Sequence, residues 1–208
     1  MRHRPVGLGL RGLQDALYKM NINFDSDEAV RFSDESMETI SYHAILSSAL
    51  LAKERGTYET YKGSKWDRGI LPQDTLALLE QERGTKIDVP RHETLDWRLV
   101  REAVREWGMR NSNTMANAPT ASTANIAGCY PTIEPIYKNL YVKSNMAGDF
   151  MIVNEFLVTD LKKLGLWSSE MLEKIKFHDG SVQQIHEIPE HVREKYKEVF
   201  EMEPQWLI

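Results

Sequence analysis

A run of small and hydroxyl-bearing residues, Pro119-Thr120-Ala121-Ser122-Thr123, follows Met115-Ala116-Asn117-Ala118. A residue before proline is pushed to extended geometry, so Asn113–Ala118 reads as a short strand ending at Pro119. The next residues open a helix that Gly128 stops. First-turn amides of a helix lack intrahelical acceptors and carry a partial positive charge. Together these make an anion site. Ala121 lets an anion approach the backbone, and Thr120, Ser122 and Thr123 add hydroxyl donors. No lysine is required. The same residues suit a plain helix N-cap, and local chemistry leaves both readings open. There is no Gly-x-x-x-x-Gly-Lys-Ser/Thr loop, which disfavours an ordinary nucleoside triphosphatase.

The elements that must position this loop alternate between short strands and helices, which favours an α/β arrangement. Arg4–Leu10 reads as a strand or a strand-to-helix connection, and Leu10–Leu17 as a helix that Asn21 and Asn23 end. Ser26-Asp27-Glu28 offers an N-cap and two acids suited to a helix dipole. The helix that follows is the longest expected, running to Arg55 with Gly56 as its stop. Thr57–Pro90 reads as a surface excursion with one short helix near Leu76–Leu79. Leu99, Val100, Val104 and Trp107 give a helical apolar stripe that Gly108 closes. Ile133–Val153 reads as extended and loop-like. Helices are expected at Phe156–Leu164, stopped by Gly165, and at Ser168–Phe177. A last one is expected at Pro189–Met202, with Val192, Tyr196, Val199 and Phe200 inward. No repeat or linker interrupts the chain, so residues 1–208 are expected to form a single unit.

Composition narrows the function classes. With 41% hydrophobic and 27% charged residues, the 208-residue chain can bury a core and is not disordered by composition. Its net charge is −5 with both signs interspersed; no basic stripe predicts DNA or RNA binding. An anion must therefore be held by local geometry. Apolar runs such as Ala44–Ala52 are too short to span a bilayer, so no membrane association is expected. A single cysteine, Cys129, excludes an intrachain disulfide framework, a Cys-pair zinc site and dithiol chemistry within this chain. A reducing, cytoplasmic setting is the default.

Other reactive side chains read as structural. His178, His186 and His191 have no acidic or cysteine partner at ligand spacing, so no metal site is expected. Cys129 reads as a small residue near a helix end, Glu134 as a turn residue before Pro135, and Tyr137 and Tyr141 as packing residues.

Arg110-Asn111-Ser112 followed by Ala118–Ile126 resembles the pattern of ribonucleotide reductase large subunits. So do His3-Arg4-Pro5-Val6-Gly7-Leu8-Gly9, Leu51–Tyr61, Ile133-Glu134-Pro135, Asn139-Leu140-Tyr141, Phe150–Asn154, Leu161–Trp167 and Asp179–Gln183. The resemblance runs in order to Trp206. It implies the C-terminal half of a ten-stranded α/β barrel, class I type. It also implies reduction of ribonucleoside diphosphates to deoxyribonucleotides through a thiyl radical, with Pro119, Thr120, Ala121, Ser122 and Thr123 against the substrate diphosphate.

The resemblance further implies what must come from elsewhere. The radical-loop cysteine and the redox cysteine pair would lie upstream, and Cys129 matches none of them. The radical-relay tyrosines and the cysteine-bearing tail would lie beyond Ile208. The expectation is a truncated or split-gene piece, inactive alone and with no cofactor of its own. It would need an upstream large-subunit half, a radical-generating small subunit with a metal centre, and a dithiol reductant such as thioredoxin or glutaredoxin. Two alternatives stand beside it: a non-catalytic phosphate-binding or interaction module derived from that barrel, and a piece of a cobalamin-dependent class II reductase.

Overall fold

A computed structural model describes residues 2–146 and 148–207. The helices and strands are α1 (Leu13–Met20), α2 (Asp27–Arg55), α3 (Asp74–Arg83), α4 (Trp97–Trp107), α5 (Ala121–Ala127), β1 (Leu140–Asn145), β2 (Gly148–Val153), α6 (Glu155–Lys163), α7 (Ser169–Phe177) and α8 (Glu190–Lys195). Two 3₁₀ turns follow at Val199–Glu201 and Pro204–Leu207. The backbone divides into two compact units: Met1–Gly9 with Ser33–Ala118, and Leu10–Phe32 with Pro119–Ile208.

In the first unit, α4 presents Trp97, Val100, Ala103 and Val104 to a core that also takes Tyr42, Ile45, Ala49, Tyr58, Leu71 and Met109. Val100 and Val104 of the expected stripe face this core and Trp107 packs against it, but Leu99 is exposed. Asp96 accepts from the Arg98 amide as N-cap, and Gly108 closes the helix at φ 72°. Thr57–Pro90 is more than a surface excursion, because Tyr58 and Leu71 are buried in this core. α3 is the expected short helix. Its Asp74 receives both Arg101 Nη atoms at 2.7 Å.

Glu38 on α2 ties down the segment that precedes α4. Its carboxylate accepts from the Thr94 and Leu95 amides at 2.9 and 3.1 Å and from Trp97 Nε1 at 2.9 Å. The Thr94 hydroxyl donates to it as well. Burial raises the Glu38 pKa, but these donors outweigh it and hold the group below the usual carboxylate range.

The two expected strands of this unit, near Val6 and Met115, lie side by side and run parallel. Among the described residues, their regular pairing is limited to one bridge, Leu8 with Met115. The Val6 and Leu8 amides donate to Asn113 O and Thr114 O at 2.9 and 3.0 Å, and the Ala116 amide returns to Leu8 O at 2.9 Å. Glycine permits this approach: a Cβ on Gly9 would lie 2.2 Å from Ala116 O.

In the second unit, α6 and α7 begin as the sequence suggests. Asn154 accepts from the Phe156 amide, and Ser168 from the Met171 amide. Leu157, Leu161, Met171, Ile175, Val182, Ile185, Ile188, Val192 and Tyr196 form the core. A smaller cluster gathers Leu17, Ile22, Phe24, Ala29 and Met202.

Two expectations fail here. Ile133–Val153 is not simply loop-like: Leu140–Val153 folds into an antiparallel hairpin, with Leu140 opposite Val153 and Val142 opposite Met151. Buried asparagines close its base. The Asn154 amide donates to Asn139 O at 2.8 Å, and Asn139 Nδ2 to Tyr196 O at 2.8 Å. Pro189–Met202 is not one helix either. α8 ends at Lys195, and a separate turn begins where Glu198 and Glu201 cap each other's backbone. Val192 and Tyr196 are inward as expected, but Phe200 is 79% exposed.

Candidate functional site

The Pro119–Thr123 loop lies in the second unit, at the start of α5. Ala124, 1% exposed, anchors the helix. Its carbonyl accepts from the Gly128 amide, and from the Cys129 amide at 3.1 Å. The first helical bond runs from the Ala124 amide to Thr120 O at 2.8 Å. The amides of Ala121, Ser122 and Thr123 come before it, and among the described residues none of the three has a protein acceptor.

Thr120 departs from an ordinary N-cap. It sits at φ 47°, ψ 20° and makes no side-chain cap. A β-branched residue is disfavoured in this left-handed region. Its hydroxyl instead accepts from the Thr132 amide at 3.0 Å. Thr132 is itself at φ 61°. The Gly12 amide holds its carbonyl at 3.1 Å, and its hydroxyl accepts from the Glu134 amide at 3.0 Å. The two threonines brace each other and fix the direction of the amides that follow.

The five expected residues therefore form one exposed lip. Pro119, Ala121, Ser122 and Thr123 are solvent-exposed and Thr120 is half-buried. Thr123 Oγ1 donates to Thr120 O at 3.3 Å. The Ser122 hydroxyl has no protein partner among the described residues. Sequence reasoning missed two contributors. Thr132 supplies the brace, and Lys143 of β1 donates to Asn125 Oδ1 of α5 at 2.8 Å, placing a cation beside the helix. No local signal marks either residue, because both approach α5 through tertiary structure.

The remaining candidates occupy structural positions. Cys129 is half-buried with a free thiol, beside Gly12. Tyr130 donates its amide to Asp15 at 2.7 Å, and burial raises its phenol pKa well above the usual value. Tyr137 packs edge-on against Phe200, with centroids 5.6 Å apart. Tyr141 lies on β1. Glu134 joins the Thr132 turn. Among the described residues, no group of three or more His, Cys, Asp or Glu could hold a metal ion. No helix among them is long and apolar enough to cross a membrane.

The family model described as ribonucleotide reductase, barrel domain, matches residues 1–208. The chain is 53% identical over 209 residues to the ribonucleoside-diphosphate reductase subunit alpha of Chlamydia pneumoniae, covering 100% of this chain and 20% of that protein. It is 42% identical to the large subunit from Trypanosoma brucei brucei, covering 100% of this chain and 25% of that one. Among solved structures, the class Id ribonucleotide reductase alpha subunit of Actinobacillus ureae superposes with a TM-score of 0.65 at 26% identity. That match spans 95% of this chain and 28% of the other. The chain thus spans about a fifth of the length of its chlamydial relatives. The expected helix-rich α/β class, part of the reductase barrel, holds. The chain belongs to the ribonucleotide reductase large-subunit family, within its barrel domain.

Proposed function

We propose that this chain supplies the diphosphate cradle of a ribonucleoside-diphosphate reductase, with Pro119, Thr120, Ala121, Ser122 and Thr123 against the substrate phosphates. The observation that carries the reading is the braced left-handed Thr120, followed by three amides without protein acceptors among the described residues. Strained backbone held by its surroundings is a pointer to function. The amides and the helix dipole attract the phosphate, Ala121 leaves room for it, the Ser122 hydroxyl donates to it, and the Thr123 hydroxyl does so by exchanging its bond to Thr120 O. Lys143 adds long-range attraction.

The reducing chemistry comes from outside these residues, because Cys129 is the single cysteine. In this reading the cradle works with the upstream half of the large subunit, a radical-generating small subunit holding a metal centre, and a dithiol reductant in the cytoplasm. The chain holds and orients the substrate, and the thiyl-radical steps occur on the partner segment.

Assembly with the remainder of the large subunit, followed by a diphosphate reductase assay, tests this directly. Replacing Ser122→Ala and Thr123→Ala together should weaken substrate affinity at least tenfold, since each hydrogen bond to a charged phosphate contributes roughly 1.5–3 kcal/mol. Unchanged affinity in an assembled, active enzyme would remove the loop from the substrate site. Substrate binding by an assembly that never reduces it would favour a non-catalytic phosphate-binding module.

A further inference from the structure

The first unit contains a group of arginines that the diphosphate cradle does not use. Arg4, Arg55 and Arg110 line one cavity of about 270 Å³, with Pro5, Val6, Leu51 and Asn111 completing its wall. The three come from different places: the N-terminal segment, the end of α2, and the segment after α4. Arg55 pairs with Glu54 at 3.4 Å, with both side chains more than 60% exposed, so that pair neutralises little. Arg110 donates from Nη1 to Arg55 O and Gly56 O at 2.9 and 3.1 Å. This caps α2 and leaves its other N–H groups without acceptors among the described residues. The Arg4 guanidinium has no partner among them.

The pocket is built by a fixed frame. Arg4 is held at φ 48°, a costly conformation for a non-glycine residue. Asn111 Nδ2 donates to Arg4 O at 2.9 Å. Asn111 is fixed in turn by Ser48, which donates from Oγ to Asn111 Oδ1 at 3.0 Å and accepts from the Asn111 amide at 3.1 Å. The Arg110 amide bonds to Ser48 O at 3.1 Å. One serine therefore orients both Arg110 and the asparagine that holds Arg4. Three arginines lining one cavity give it a positive character, and an oxyanion there would match their forked donors.

We propose that Arg4, Arg55 and Arg110 form a second anion pocket, separate from the Pro119–Thr123 cradle, that takes the phosphate groups of a small ligand. The volume sets the class. It holds about nine water volumes at about 30 Å³ each and lies below the roughly 300–1,000 Å³ of organic-ligand pockets. A diphosphate fits; a whole nucleoside does not.

Inorganic pyrophosphate titrated into the 208-residue chain tests this, with the arginine Nε–H signals followed by NMR and affinity by calorimetry. The Arg4 and Arg55 signals should shift on binding. Arg4→Gln with Arg55→Gln should weaken the event followed at the Arg110 Nε–H about tenfold or more, whereas binding at the Pro119–Thr123 cradle is a separate event that moves no arginine signal. Arg110 is left intact because it caps α2. If the double variant loses its fold, Arg55→Gln alone gives the reading, since its exposed side chain contributes little to packing. A nucleoside diphosphate serves as the second arm and should bind at Arg4 and Arg55 about as tightly as pyrophosphate. Unmoved arginine signals, or undiminished binding by a folded variant, would overturn the proposal. So would a nucleoside diphosphate binding there about tenfold more tightly, because the pocket would then be reading the base.

Discussion

Arg4 and Thr120 share a backbone conformation and differ in how it is held. Their φ values are 48° and 47°, both in a region that L-residues with side chains avoid. Arg4 is held through its main chain, with its carbonyl accepting from Asn111. Thr120 is held through its side chain, with its hydroxyl accepting from the Thr132 amide. Each strained residue lies at a candidate anion site, but the sites use opposite chemistry. The Arg4 pocket gathers full charges, whereas the Thr120 lip offers backbone amides and hydroxyls. Charge can be contributed by residues far apart in sequence. A cradle of successive amides must come from one continuous segment with a fixed backbone.

Breaking each clamp should show this difference. Asn111→Ala removes the donor to Arg4 O and the acceptor for Ser48 Oγ, so the first unit should lose about 2–3 kcal/mol. Denaturant unfolding would measure it, and a loss below about 0.5 kcal/mol would mean that the asparagine does not hold Arg4. Thr120→Val keeps the β-branch and deletes one hydroxyl, leaving the Thr132 amide unpaired. It should cost about 1–2 kcal/mol and weaken diphosphate binding at the lip.

Glycine substitutions sharpen the contrast. Arg4→Gly relieves the left-handed strain and keeps the clamp, because the clamp uses the main chain. It should raise stability by about 0.5–1 kcal/mol while weakening pyrophosphate binding. Thr120→Gly relieves similar strain but loses its hydroxyl bond, so its stability should change by less than about 0.5 kcal/mol. Equal thermal shifts for the two variants would show that the clamps do not differ as described.

The legible parts of this chain are those whose signals are local. Gly108, Ser168 and the acids after Ser26 mark helix ends by chemistry that acts within one turn, and the Pro119–Thr123 segment is continuous. The hairpin was not legible, because Lys143, Ser144, Gly148 and Asp149 interrupt any alternation and the asparagines at its base read as loop residues. Their hydrogen bonds come from Tyr196 and from each other, which periodicity does not encode. The Pro189–Met202 pattern suggested one helix because Val192 and Tyr196 have helical spacing; the break came from a carboxylate pair at Glu198 and Glu201. A threonine at φ 47° contradicts local preference, so only tertiary structure reveals it. The arginine pocket joins positions 4, 55 and 110, and nothing in the intervening sequence connects them.

A last contrast separates the units by pH. Glu198, in the second unit, accepts from the Asn139 amide at 2.7 Å. Burial, helped by neighbouring Glu201 and Asp179, overcomes that hydrogen bond and Lys138 and raises its pKa from 4.5 to about 7. In that interval the folded state binds more protons than the unfolded state, so stability falls as pH rises from 4.5 through 7. Near pH 7 the slope from one half-titrated group is about 0.7 kcal/mol per pH unit. Glu38, in the first unit, has a lowered pKa and is ionised throughout this range. Its contribution is present at neutral pH and is lost only as pH falls through its folded pKa. Amide exchange corrected for intrinsic rates should therefore show protection at Asn139 declining between about pH 6 and 8 while Thr94 and Leu95 hold constant. Glu198→Gln should flatten the Asn139 response. A slope that persists in that variant would assign the titration to another group and remove Glu198 as the source of the difference.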